Sequence, residues 1–290
     1  MTADISLIIG TYNRLNKLKK TINSIINNFY GNLKVEIILI DGGSTDGTYQ
    51  YFNSIKNKFY SAQYFNEGKL NGVVKAYNVG YMMATGRYTS WLSDDFVLQK
   101  DCLKEMMKAC VTSRKKDILA YLNDLNDGRG YHCPHVAKKP FCYIGTMLTS
   151  SLRESFGWIE DYKTYGVDID QCYRIYRWGG RVIPVKGALI KHDIDLNDEL
   201  HKLNVPDSKK NNDSKRCYDI FKKNKTKSSG YSIPNVFVGG ADANVIYNKA
   251  MNFKETKYSY AFFYCKLSDP FLIANGIFKA GGVSFYDIQI

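Results

Sequence analysis

Two adjacent aspartates close an apolar run in this chain. Tyr88 to Phe96 reads Y-T-S-W-L-S-D-D-F, so Ser93, Asp94 and Asp95 follow directly on a predicted buried strand. No lysine or arginine stands beside the pair to neutralise it, and a cation from outside the sequence is therefore expected. A hard divalent ion prefers carboxylate oxygen, and open α/β sheets bind ligands beyond the carboxyl ends of their strands. Asp94-Asp95 thus reads as a metal and phosphate site. The plainer alternative is a turn and N-cap for a helix predicted over Lys100 to Ser113. A second acidic group, Gly166-Val167-Asp168-Ile169-Asp170, precedes a helical stretch carrying Arg174 and Arg177, and one of its aspartates serves as a cap whatever the other does. His132-Cys133-Pro134-His135 with Cys142 matches no standard zinc spacing, so these are read as pocket or core residues.

The elements that position these groups follow from apolar patterning. Ser6 to Gly10, Val35 to Ile40, Tyr60 to Phe65 and the run into Asp94 are predicted strands. Helices are predicted between them from Leu15, Leu18, Ile22, Ile25 and Ile26, then from Tyr49, Phe52 and Ile55, then over Leu70 to Met83. Such a β-α-β-α-β-α-β series demands a mostly parallel, Rossmann-like sheet with helices on both faces. Four polar clusters fall at the carboxyl ends of these strands: Thr11 to Arg14, Asp41, Asn66-Glu67 and Ser93 to Asp95. The first turn lacks G-x-G-x-x-G and the chain lacks a P-loop, so dinucleotide and P-loop chemistry lose their support. Further on, Ile118 to Leu122, Arg181 to Val185 and Ala188 to Lys191 are predicted as short strands, the last leading to His192-Asp193.

The bulk properties narrow the class. The chain has 290 residues, 44% hydrophobic, enough for a substantial core. A net charge of +12 implies anionic partners, but lysine and arginine are dispersed without an aromatic-interleaved basic stripe, so nucleic acid is not expected. Seven cysteines without a paired framework fit a reducing compartment. The start, M-T-A-D-I-S, shows no signal sequence and no apolar run reaches membrane-span length, so a cytoplasmic protein, soluble or peripherally membrane-associated, is expected.

The ordered set T-Y-N-R at 11 to 14, I-D-G-G-S-T-D-G-T at 40 to 48, K-A-Y-N-V-G-Y-M-M-A-T-G-R-Y at 75 to 88 and S-D-D at 93 to 95 resembles glycosyltransferase family 2. The resemblance implies a GT-A fold and a nucleotide-sugar donor, with UDP favoured. It implies that Thr11, Tyr12 and Arg14 line the nucleotide pocket, that Asp41 accepts a hydrogen bond from the nucleobase, and that Lys75 lies near the diphosphate. It further implies that Asp94 contacts the ribose or metal, that Asp95 ligates Mn2+ or Mg2+, and that His192 closes on the metal. The block around Asp168 resembles the family's acceptor-side motif, which makes Asp168 the general base for an inverting transfer to a glycan or other hydroxyl acceptor. Two positions depart from the pattern: Ser93 stands where many members have a third aspartate, and Val167 where a glutamate is usual.

A catalytic domain is expected over 1–195, with 1–100 as the nucleotide-sugar half and 101–195 as the acceptor half. An extension follows over 196–290, beginning with a polar connector at 202–230. The aromatic-rich part beyond packs onto the core, onto a second subunit as a homo-oligomer, or at a membrane surface. Two competing functions remain: a degenerate GT-A protein that only binds carbohydrate or nucleotide, and a nucleotidyltransferase. The latter usually needs a glycine- and arginine-rich loop at the first turn, which Thr11 to Arg14 is not.

Overall fold

The computed structural model describes residues 2–124, 130–136, 139–155, 158 and 167–193, with two short paired strands at 278–279 and 282–283. The expected connector and most of the extension lie outside the described residues, as do Phe156, Gly157 and Ile159 to Gly166.

The first half alternates as its apolar patterning requires. β1 (Ile5–Thr11) leads through α1 (Leu15–Ile26) to β2 (Val35–Asp41), then through α2 (Thr48–Ile55) to β3 (Ser61–Asn66), and through α3 (Val73–Met83) to β4 (Tyr88–Ser93). Every residue of β2 is buried, as expected of a strand covered on both faces. α1 turns Leu18, Ile22 and Ile25 to the sheet at helical spacing. α3 lies closely on β1, because a Cβ at Gly80 would come within 2.3 Å of Ile8 Cγ2. The end of α3 is closed by the buried Arg153, which donates to the carbonyls of Tyr81, Met82 and Ala84 and satisfies acceptors that the helix leaves open.

The second half contains β5 (Phe96–Leu98), α4 (Cys102–Thr112), β6 (Ile118–Asp124), a hairpin of β7 (His135–Val136) and β8 (Lys139–Pro140), β9 (Gly145–Leu148), α5 (Thr149–Glu154), α6 (Val167–Arg177) and β10 (Val182–His192). The main sheet has the order β3-β2-β1-β4-β9-β6-β10-β5. β1 to β4 run parallel, β9 is antiparallel to both its neighbours, and β10 is parallel to β6 but antiparallel to β5.

Register places the polar clusters in one row: Thr11 pairs with Asp41, Asp41 with Asn66, and Gly10 with Ser93. Three expectations need correction. Asp94-Asp95 do not cap a helix. The chain turns there into β5, and α4 starts only at Cys102. The two short strands before His192 are one strand whose pairing with β6 shifts between Pro184 and Leu189, so Gly187 at φ +95° interrupts the register but not the strand. The third concerns the counterion of the two aspartates.

Candidate active site

Two loops form the floor of the site, and their motif residues hold each other. Asn13, at φ +50°, donates its N–H to Ser44 Oγ and accepts from the Thr45 N–H at 2.8 Å. Asp46 takes the first N–H of α1, at Leu15, on one oxygen and the Thr48 N–H and hydroxyl on the other, so one carboxylate caps two helices. Asp41 is wholly buried. Its Oδ1 accepts from the N–H groups of Gly43 and Ser44 and the Ser44 hydroxyl, and its Oδ2 accepts from the Tyr64 hydroxyl. Gly43 sits at φ +92° with the Gly68 backbone 2.9 Å from where a Cβ would be, so this turn accepts only glycine.

The two aspartates are not without a counterion. Arg14 reaches across from the first loop, with Nη1 2.6 Å from Asp94 Oδ1 and Nη2 2.8 Å from Asp95 Oδ2. The cation that the local sequence lacks is thus supplied by a residue eighty positions away. Thr11 donates to Asp94 Oδ2 at 2.8 Å, and Thr21 of α1 holds the Asp94 carbonyl. From β10, His192 Nε2 lies 3.3 Å from Asp95 Oδ2, and its ring stacks on Phe96 at 4.4 Å. Burial would raise the Asp95 carboxyl, but the His192 hydrogen bond and the Arg14 charge outweigh it and hold the group well below the usual carboxylate range.

A cavity of about 300 Å³ opens beside these groups. Thr11, Tyr12, Arg14, Asp94, Asp95 and His192 all line it, which brings six of the expected site residues together. Asp41 and Lys75 are not among its lining residues, nor is Asp168. At the other end the wall is apolar, with Ile40, Leu70, Val73 and Ala76, and Glu67 lies among them. Glu67 is 8% exposed, and burial pushes its carboxyl up to about 8; a hydrogen bond from Asn71 opposes the shift and the Asp41 charge adds to it. Tyr77 passes under Gly10 and donates to the Leu92 carbonyl, so a buried phenol supports the bare backbone at the cavity's centre.

The helix carrying Asp168 is tied to this cavity through one tryptophan. Trp158 exchanges two hydrogen bonds with the Asn78 side chain of α3, meets the Tyr77 ring in a tilted contact at 4.8 Å and donates its indole N–H to Gln171 of α6 at 2.9 Å. Asp168, in the first turn of α6, is half-buried at the end of the helix that favours negative charge. Val167, in place of the usual glutamate, is buried core. The Cys142 thiol is raised by its contact with Cys172, by burial and by nearby charges including Asp168. Cys133 donates to the Phe141 carbonyl and His132 contacts the Gly130 carbonyl. The side chains of His135, Asp170 and Arg177 lie outside the described residues.

Glu67, Tyr77, Trp158 and Gln171 were given no role from the sequence. Glu67 carried a signal, since it follows a predicted strand in the same row as Asp41. Tyr77 carried none, because an aromatic residue in an apolar helix reads as core.

No group of three or more His, Cys, Asp or Glu side chains among the described residues is placed to hold a metal ion. The residues present do fit a partial shell. Asp95 Oδ1 is buried and finds no hydrogen-bond partner among the described residues, beside an imidazole on the same cavity. One open carboxylate oxygen and one nitrogen suit a divalent ion whose other positions go to phosphate and water.

A sheet of this order with a cavity at its strand ends is a GT-A, Rossmann-like α/β fold. The family model described as Glycosyl transferase family 2 matches residues 6–136, a little under half of the chain. An uncharacterised glycosyltransferase of Mycoplasma genitalium is 30% identical over 118 residues, 40% of each chain, and the abequosyltransferase of Salmonella typhimurium is 33% identical over 100 residues, 34% of this chain and 30% of that one. The chain thus covers less than half the length of these relatives. Among solved structures, S. aureus TarS 1-349 in complex with UDP has a TM-score of 0.54 at 18% identity, covering 67% of this chain and 61% of that one. A mannosyltransferase from Pyrobaculum calidifontis with GDP-Man and Mn2+ has a TM-score of 0.53 at 16% identity, covering 67% and 58%. Among the described residues no helix is long and apolar enough to cross a membrane.

Proposed function

We propose that this chain moves a sugar from a nucleoside diphosphate sugar, with UDP favoured, to an acceptor hydroxyl, inverting the anomeric centre. The observation that carries the reading is the convergence of Thr11, Arg14, Asp94, Asp95 and His192 on one cavity at the strand ends, within or beside the family match. The preference for UDP is supported by the TarS structures solved with UDP and UDP-GlcNAc, whose fold this chain shares.

Each residue has a part. Thr11, Tyr12 and Arg14 line the nucleotide side, and Arg14 offers a planar cation suited to phosphate. Asp94 is held by Thr11 and Arg14 and faces the ribose. Asp41 shapes the loop beneath the nucleobase, and Lys75 adds positive charge toward the diphosphate. Asp95 and His192 would hold Mn2+ or Mg2+, which when bound neutralises the departing diphosphate as a Lewis acid. Asp168 takes the proton of the acceptor hydroxyl, a contribution of about 10² to 10⁴ in rate. The link through Trp158 keeps α6 in register with the donor cavity.

The test is incubation with a panel of UDP-, GDP- and TDP-sugars and Mn2+, with release of the nucleoside diphosphate read by chromatography. Release from a UDP-sugar that stops on chelation supports the proposal. A protein that binds these donors without releasing nucleotide under any acceptor would be a binding module instead.

A further inference from the structure

Apolar burial has no direction, so Val167, Cys172 and Ile175 seat α6 on the core without fixing its rotation about its own axis. Hydrogen bonds are directional and do fix it. Two run from α6 to the chain at and just beyond the end of α5: Gln171 Oε1 accepts the Trp158 indole N–H at 2.9 Å, and Arg174 donates to the Ser155 carbonyl. Gln171 is 1% exposed and Arg174 is buried with it, so water does not stand in for either partner. Asp168 and Gln171 are three residues apart and hence neighbours on the helix surface, which puts the Gln171 tie within one turn of Asp168.

Trp158 is in turn held from the donor side. The Asn78 amide donates to its carbonyl at 2.9 Å and accepts its N–H at 3.0 Å, so α3 fixes the main chain at this residue. Tyr77 meets the indole ring at 4.8 Å and lines the cavity beside Asp94 and Asp95. One turn along α3, Tyr81 meets the same indole nearly at right angles, at 6.1 Å. One buried side chain thus touches both the floor of the donor cavity and the helix of the proposed base.

We infer that Trp158 and Gln171 are positioning residues for attack by the acceptor: their hydrogen bond sets the rotation of α6, and with it the place of Asp168 relative to a donor lying over Tyr77. The inference rests on the role proposed for Asp168 and adds the two residues through which that group is placed. Neither Trp158 nor Gln171 is among the residues lining the cavity, so breaking their bond leaves the donor's own contacts in place. What moves is the proton acceptor. A shift of about 1 Å at a reacting group costs about 10²-fold in rate, and a loss of about tenfold to a hundredfold in turnover is expected.

The experiment measures turnover of the full chain as UDP released from whichever UDP-sugar the donor panel consumes fastest, beside UDP affinity by calorimetry and melting temperature, all with Mn2+. Trp158→Phe keeps a ring against Tyr77 and leaves Gln171 Oε1 buried without its donor. It should lower kcat by about tenfold to a hundredfold and lower the melting temperature, with UDP affinity held within about threefold. Adding Gln171→Met replaces both polar partners by apolar groups, so part of the melting temperature should return while kcat stays low. In an Asp168→Asn background Trp158→Phe should cost little more, because no base is left to place. If kcat returns together with the melting temperature, or UDP affinity falls as far as kcat, the pair is merely structural and the inference is overturned. It is equally overturned if the Trp158→Phe and Asp168→Asn losses multiply in full; Asp168 then keeps its proposed role without this placement. If Asp168→Asn leaves turnover unchanged, or wild type releases UDP from no donor, the proposed function has failed and this inference falls with it.

Discussion

Arg14→Gln tests whether the guanidinium is the internal counterion of a metal site. In the absence of metal, Arg14 makes two charge-assisted hydrogen bonds to carboxylates that are 1% and 8% exposed. Removing one member of a buried ion pair costs about 3 to 5 kcal/mol when nothing replaces it. Here Thr11 still donates to Asp94, His192 still faces Asp95, and the adjacent cavity is large enough for water beside the carboxylates, so about 2 to 3 kcal/mol is expected. For a domain of this size that lowers the melting temperature by roughly 4 to 12 °C. The variant also presents Mn2+ with carboxylates that no longer have a competing cation, so Mn2+ should stabilise it more than it stabilises wild type. At a metal concentration about a hundred times the dissociation constant, linkage supplies about 2.7 kcal/mol, enough to recover most of the loss. Differential scanning calorimetry with Mn2+ and with a chelator reads both effects. An unchanged melting temperature, or equal Mn2+ shifts in the two proteins, would refute the reasoning that Arg14 and a divalent ion compete for the charge of these two carboxylates.

Other substitutions separate chemistry from architecture. Asp168→Asn should lower transfer by about 10² or more while donor affinity stays within a few-fold, with Asp170→Asn as the matched control losing much less; steady-state rates beside donor titrations decide this, and the reverse pattern would move the base to Asp170. Gly80→Ala should destabilise by about 1 to 3 kcal/mol in urea unfolding, because its Cβ would stand 2.3 Å from Ile8 Cγ2, and Ile8→Ala in the same chain should recover part of the loss. Asp117 predicts an acid limb of stability: burial would raise its carboxyl, but hydrogen bonds from Arg181 and the Arg114 backbone, with the Arg181 charge, lower it. The stabilisation is complete above the ordinary carboxylate range and is lost as pH falls through the depressed folded value. Because Arg181 is half-exposed, Asp117→Asn should remove only about 1 kcal/mol, measurable near neutral pH and vanishing in acid.

The nucleotide half was legible in the sequence for a definite reason. Buried parallel strands are continuous apolar runs, their helices repeat at 3.6 residues, and crossover chirality leaves few ways to join them. That logic placed Thr11, Asp41, Asn66 and Ser93 at strand ends, and the pairing register sets them in one row. It weakened after Asp95, where β5 has only three residues, β9 inserts antiparallel, and β10 shifts register partway along. Short strands and irregular pairings carry little periodicity, so tertiary contacts decide them.

The sequence by itself determined the class of fold, the two-aspartate turn and the edge of the sheet at which the polar clusters gather, because these follow from local patterning and from the geometry of parallel strands. Only the tertiary structure decided how the charges there are balanced. Arg14 and Asp94 are eighty residues apart, and nothing local to either announces that the guanidinium bridges both carboxylates. Burial likewise distinguishes Asp41, held by its own loop, from Glu67, whose carboxyl stands on an apolar cavity wall. A residue's hydrogen bonds and solvation depend on neighbours brought together by folding, and these set what a carboxyl group can do.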